Sequence, residues 1–263
     1  MKRYLAAVLM VASLAGCAST SEPNDETRGW TVEKIYGEAK DELNSGNYTR
    51  AIKLYETLQA RYPYGRYAQQ ALMDQAYTHY KDQEPELALA AANRFIRLYP
   101  AHPNLDYMYY LKGLVYYNDD STTLAKWAGQ DMSERDPRAA HEAFNAFREL
   151  TVRFPQSPYS ADATEKMQQL VAALGGHQMH VARYYMKRGA WLAAANRAQD
   201  VVKEYSNTGH NEEALAIMVV AYDKLGMKDL SADASRVLKL NYPNSQWLQQ
   251  PWQVKEVAWW KFW

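Results

Sequence analysis

Cys17 is the only cysteine of the chain, and it closes the run Leu14-Ala15-Gly16-Cys17. Lys2 and Arg3 precede an apolar stretch from Leu5 to Ala15, which is the build of a secretory signal peptide and far short of the roughly 20 residues that a membrane-crossing helix needs. A cysteine directly behind such a stretch matches the bacterial lipobox. There the thiol is alkylated by diacylglycerol, residues 1–16 are cleaved away, and the new amine receives an N-acyl chain. Each buried methylene contributes about 0.8 kcal/mol, so two or three chains on Cys17 make a durable anchor where one chain would not. Ala18 follows where an aspartate would retain the product at the inner membrane, which directs the expectation to the periplasmic face of the outer membrane.

The remaining reactive side chains do not form a catalytic set. Six histidines are dispersed, and the closest pair, His177 and His180, lacks any cysteine or HExxH partner, so no metal site is expected. Neither a nucleophile with its base nor a glycine-rich phosphate loop is visible, and no enzyme activity and no diffusible cofactor are expected. Tyrosine stands out instead, with 21 residues. Tyr62, Tyr64 and Tyr67 cluster with Arg61 and Arg66, a mixture suited to an extended peptide: stiff aromatic rings for its side chains, hydroxyls for its backbone, guanidinium groups for a terminal carboxylate. Packing between helices competes with this reading for Tyr62.

The elements that must carry these residues are helices. An aromatic, usually followed by proline, recurs at Tyr62, Tyr99, Phe154, Tyr205 and Tyr242. Eleven positions before each stands a small residue, Ala51, Ala88, Ala143, Ala194 or Ser231; four before stands a large apolar one, Leu58, Phe95, Leu150, Val201 or Leu238. A separation of seven puts both on one helical face, the small one admitting a neighbouring helix. Partner helices precede them, marked by Ala39, Ala76, Ala182 and Val219. The basic unit of 34 to 37 residues resembles the tetratricopeptide repeat. An all-α superhelix of about five hairpins is therefore expected.

Its organisation reads as a signal peptide (1–16), lipidated cysteine and flexible tether (17–29), repeats one and two with the first helix of repeat three (30–117), a loop insertion (118–135), the rest of repeat three with repeats four and five (136–243), and a tryptophan-rich tail (244–263). Ser157 to Gly176 is expected to form a separate extra helix ended by Gly175-Gly176. Thirty basic and thirty acidic residues leave no net charge, hence no electrostatic footprint for nucleic acid. A hydrophobic content of 48% excludes disorder throughout.

Several phrases are more particular than the generic repeat: Arg61-Tyr62-Pro63-Tyr64-Gly65-Arg66-Tyr67, Arg94-Phe95-Ile96-Arg97-Leu98, His102-Pro103-Asn104-Leu105-Asp106-Tyr107, Asp136-Pro137-Arg138 and Arg188-Gly189-Ala190-Trp191. With the lipobox and five repeats, they resemble the BamD family, repeat lipoproteins of the outer-membrane β-barrel assembly machine, over residues 30–243. The resemblance implies a non-enzymatic subunit that docks on BamA through later repeats, works beside other assembly-machine lipoproteins, and receives unfolded barrel precursors on earlier repeats. It assigns Tyr62 and its neighbours to precursor recognition and Arg197 to the BamA face. Arg197 also has a motive of its own, since it stands eight before Tyr205, where the first three repeats carry Leu54, Ala91 and Ala146. A periplasmic scaffold for cell-wall or envelope enzymes would share the anchor and the fold but not these phrases.

Five of the eight tryptophans, Trp247, Trp252, Trp259, Trp260 and Trp263, fall in the final 17 residues. In helical register the last four share one face, which suits a partner groove or a membrane interface; packing on the last repeat is the competing reading.

Overall fold

The computed structural model describes residues 26–118 and 137–253, and these form ten α-helices, one short 3-10 turn and no strand. The signal peptide, Cys17 and most of the tether, the insertion, and Trp259, Trp260 and Trp263 lie outside the described residues. The helices are α1 (Val32–Ser45), α2 (Tyr48–Arg61), α3 (Arg66–Lys81), α4 (Pro85–Leu98), α5 (Leu105–Asn118), α6 (Pro137–Arg153), α7 (Ser160–Lys187), α8 (Trp191–Glu204), α9 (Asn211–Lys224) and α10 (Lys228–Asn241). Taken in pairs they are the five helical hairpins that the repeat spacing predicts. The chain divides into two compact units after Ala71, within α3.

The recurrent aromatics are helix stops. The backbone N–H of Tyr62, Tyr99, Phe154, Tyr205 and Tyr242 each donates to the carbonyl four residues earlier, on Leu58, Phe95, Leu150, Val201 and Leu238, at 2.7–3.0 Å. Those five large residues are buried, as are Ala51, Ala88, Ala143 and Ala194. Ser231, the polar member of the small set, donates its hydroxyl to the Val219 carbonyl at 2.9 Å and so satisfies itself inside its own hairpin. The first hairpin turns at Gly46, whose φ of 83° lies in the left-handed region that a residue with a Cβ adopts only at a cost.

In the first unit Ile35, Ala39 and Leu43 of α1 meet Ala51, Leu54, Tyr55 and Leu58 of α2 in a buried core. In the second, α5 packs on α4 and α6, and α7 packs on α6 and α8. Its core runs from Leu72 and Met73 through Phe95, Met108 and Phe147 to Leu170, and a further cluster joins Met179 and Met186 to Ile217, Leu238 and Trp252.

Two expectations are corrected here. No helix ends at Gly175-Gly176: α7 runs unbroken for 28 residues. Gly175 is buried there, and a Cβ on it would stand 2.9 Å from Thr208 Oγ1 and 3.2 Å from Tyr205 Cβ, so the glycine serves close packing rather than termination. Nor does that helix start at Ser157-Pro158. Ser157 instead accepts from the Tyr159 N–H at 3.2 Å and donates to Asp106 Oδ2 at 2.7 Å, tying the α6–α7 turn to α5 before the helix begins at Ser160.

Candidate peptide-binding site

The first unit carries a groove of about 580 Å³ lined by Arg28, Gly29, Trp30, Thr31, Val32, Glu33, Arg61 and Tyr62. Local rules build it. Thr31 caps α1 through an Oγ1 that accepts from the Lys34 N–H at 3.4 Å, which leaves the positive end of the helix facing this region. Lys34 lies over the Trp30 ring, 4.4 Å from its centroid. The Tyr62 hydroxyl donates to the Trp30 carbonyl at 3.2 Å. Arg61 donates from Nη1 to the Thr27 carbonyl at 2.8 Å and from Nη2 to Thr27 Oγ1 at 3.0 Å.

Arg61 thereby holds a folded turn at residues 26–29, and Thr27 is buried. The body starts a few residues before the polar composition suggests, and the guanidinium expected to meet a ligand carboxylate serves its own chain. Arg28 and Trp30 supply the groove with charge and apolar surface that the sequence reading did not assign; the aromatic next to Gly29 was their only signal.

Tyr64 is 90% exposed on the α2–α3 turn. Tyr67 is half-buried, with its ring 5.5 Å from that of Tyr36. Arg66 is exposed and stacks on Tyr67 at 4.9 Å, with Nη2 donating to the Tyr67 hydroxyl at 3.3 Å. Of the five residues nominated for precursors, Tyr62 and Arg61 thus line the groove, Tyr64 projects from the adjoining turn, and Arg66 and Tyr67 form a stacked pair.

Arg197 lies on α8 in the second unit. Its Nη1 donates to Gln178 Oε1 at 3.3 Å and stands 4.0 Å from Asp200 Oδ2, with its side chain 43% exposed. At the equivalent positions Leu54, Ala91, Ala146 and Ala234 are buried, so Arg197 is partly exposed at a register position that the other repeats bury.

A further cluster escaped the sequence reading. Arg183 donates to both oxygens of Glu213, from Nε at 2.8 Å and Nη2 at 2.6 Å, and Trp252 Nε1 donates to Glu213 Oε1 at 3.1 Å. Trp252 is buried and not helical. For this residue, packing wins over a shared face with the later tryptophans. Burial pushes the Glu213 carboxyl up, but the Arg183 and Trp252 bonds outweigh it and hold it below its ordinary value. A depressed folded value stabilises above the unfolded pKa near 4.5, and that contribution is lost as pH falls below it toward the folded value. Glu213→Gln is expected to destabilise by about 1 to 2 kcal/mol, a charged hydrogen-bond figure discounted for the half-open Arg183, and to speed amide exchange in residues 246–253. Unchanged melting and exchange would remove the latch.

His79 is buried, with Nδ1 2.7 Å from Glu84 Oε2. Among the described residues no group of three His, Cys, Asp or Glu is placed to hold a metal ion, and no described helix is long and apolar enough to cross a membrane.

A family model described as YfiO, outer membrane lipoprotein, matches residues 29–240. An outer membrane protein assembly factor BamD of Neisseria meningitidis serogroup B is 53% identical over the full length of both chains. Proteins with the same description from Xylella fastidiosa and Vibrio cholerae are 37% and 34% identical, covering 93% and 90% of this chain and 84% and 97% of theirs. On these similarities the chain belongs to the BamD family of outer-membrane lipoproteins.

Proposed function

We propose that this chain is a non-catalytic assembly factor for outer-membrane proteins, anchored by acyl chains on Cys17 at the periplasmic face of the outer membrane. In this reading it binds unfolded barrel precursors on its first unit and docks on BamA through its later repeats, Arg197 included, within a machine holding further lipoproteins. The observation that carries it is the groove bounded by Trp30 and Tyr62 beside the projecting ring of Tyr64. Barrel precursors present extended segments of alternating aromatic residues, often ending in an aromatic and a carboxylate. Such a segment needs ring faces, free hydroxyls and positive charge, and Trp30, Tyr64, Arg28 and Arg66 supply them.

Recovery of BamA as the principal partner from detergent extract tests the assembly reading; recovery of cell-wall synthases in its place overturns it. Arg197→Ala is expected to reduce BamA recovery about tenfold or more, since a charge-assisted hydrogen bond contributes roughly 1.5 to 3 kcal/mol. Thermal unfolding should barely change, because the Asp200 contact is long and exposed. Equal recovery at matched expression would remove Arg197 from the interface, and a large fall in melting temperature would make it structural.

A further inference from the structure

Two arginines of α2 hold the chain ahead of α1. Arg50 Nη1 stands 3.2 Å from Glu26 Oε1, and Arg61 grips Thr27 at both its carbonyl and its hydroxyl. Residues 27–30 make a tight turn, in which the Trp30 N–H donates to the Thr27 carbonyl at 2.9 Å. Gly29 stands third in that turn with a φ of 81°, the left-handed value that favours glycine there. Thr27 is buried, whereas Glu26, Arg28 and Gly29 around it are exposed. The Glu26–Arg50 pair is open to water and adds little; the Arg61 bonds are the partly buried hold on this strap. Trp30 is fixed separately, by Lys34 over its ring and by the Tyr62 hydroxyl on its carbonyl, so residues 26–29 can leave the groove without it.

The bonds that hold the strap are ones a ligand can take over. Arg61 presents the planar fork of Nη1 and Nη2 to two neutral oxygens of Thr27. A terminal carboxylate offers two oxygens to the same fork and carries a full charge, which makes its hydrogen bonds roughly twice as strong as neutral ones. We propose that the turn at Thr27 is a built-in competitor at the peptide site, occupying Arg61 until the C-terminal carboxylate of a bound peptide displaces it. The proposal rests on the peptide-binding reading given above and adds the regulation of that site. Apparent affinity is the intrinsic affinity reduced by the fraction of chains whose strap is open. A segment with no carboxylate to exchange for Thr27 therefore meets a closed strap, while a free chain end opens it. The competitor thus favours chain ends over internal aromatic segments, a selectivity built on what the wrong ligand fails to displace.

The test uses the full-length lipoprotein in detergent and a barrel-derived C-terminal peptide ending in an aromatic, prepared both as the free acid and as the C-terminal amide. Binding is followed by fluorescence anisotropy, and the strap by amide exchange across residues 27–31. The saturating free acid should raise that exchange by roughly fivefold or more, and the amide should leave it unchanged. Gly29→Ala strains the turn and nothing else, since no atom lies within 4 Å of the Cβ position. It should tighten binding of the free acid about fivefold by opening the strap, with thermal unfolding as the folding control. Free acid bound with exchange unchanged, exchange raised equally by the amide, or affinity equal or weaker in Gly29→Ala each overturns the competitor and leaves the peptide site standing. No binding of either peptide to either protein overturns the peptide site and the competitor together.

Discussion

Replacing Cys17 by alanine is expected to abolish acyl labelling and to move essentially all of the protein from the outer-membrane fraction to the soluble periplasm, or to leave it as uncleaved precursor. The effect is expected to be near total if the proposed acyl chains, at about 0.8 kcal/mol per methylene, are the attachment. Without residues 1–16 the chain carries 28 basic and 30 acidic residues, a net charge of −2 that does not draw it to an anionic surface. Full complementation together with unchanged fractionation would mean that partners hold the protein and that the lipid is dispensable.

A second large effect is expected at Gly113 in the middle of α5. A Cβ built there would stand 2.4 Å from Phe147 Cε1 and 2.5 Å from its Cδ1, and Phe147 is fully buried on α6. The ring cannot yield without moving Tyr110 and Tyr117, whose rings lie 6.1 and 6.3 Å from it. Gly113→Val should therefore destabilise by about 3 kcal/mol or more, at the upper end for overpacked cores, and lower the melting temperature by roughly 6 to 12 °C. Gly37 is the control: it is also helical, but nothing lies within 4 Å of its Cβ position. Gly37→Ala should stabilise by about 0.5 to 1 kcal/mol. If Gly113→Val melts like the wild type, the close approach of α5 and α6 is wrong.

The repeat was legible because each of its marks has a local cause. Tyr62, Tyr99, Phe154, Tyr205 and Tyr242 end helices, and Ala51 and its equivalents admit a neighbour, so spacing alone reveals both. Gly175 misled because the same residue type serves two ends: a glycine can stop a helix or let one pass closely, and only Thr208 and Tyr205, thirty or more positions away, decide which. Trp252 was ambiguous for the same reason, since its partner Glu213 lies 39 residues back. His79 looked like any dispersed histidine until Glu84 closed the turn beside it. In the groove, Tyr62 and Tyr64 could be nominated from their phrase, whereas the commitment of Arg61 to Thr27 joins residues 34 positions apart and no periodicity points to it.

The central claim is that the first unit receives barrel precursors, and one measurement addresses it directly. A photo-crosslinking residue is placed in turn at Tyr62, Tyr64 and Tyr67 of the full-length lipoprotein, which is then presented with a barrel-derived C-terminal peptide ending in an aromatic. Capture is expected at Tyr64 and at Tyr62, on the turn and in the groove, with severalfold weaker capture when the peptide's final aromatic is removed. No capture at either Tyr62 or Tyr64, or capture indifferent to the final aromatic, would contradict the account.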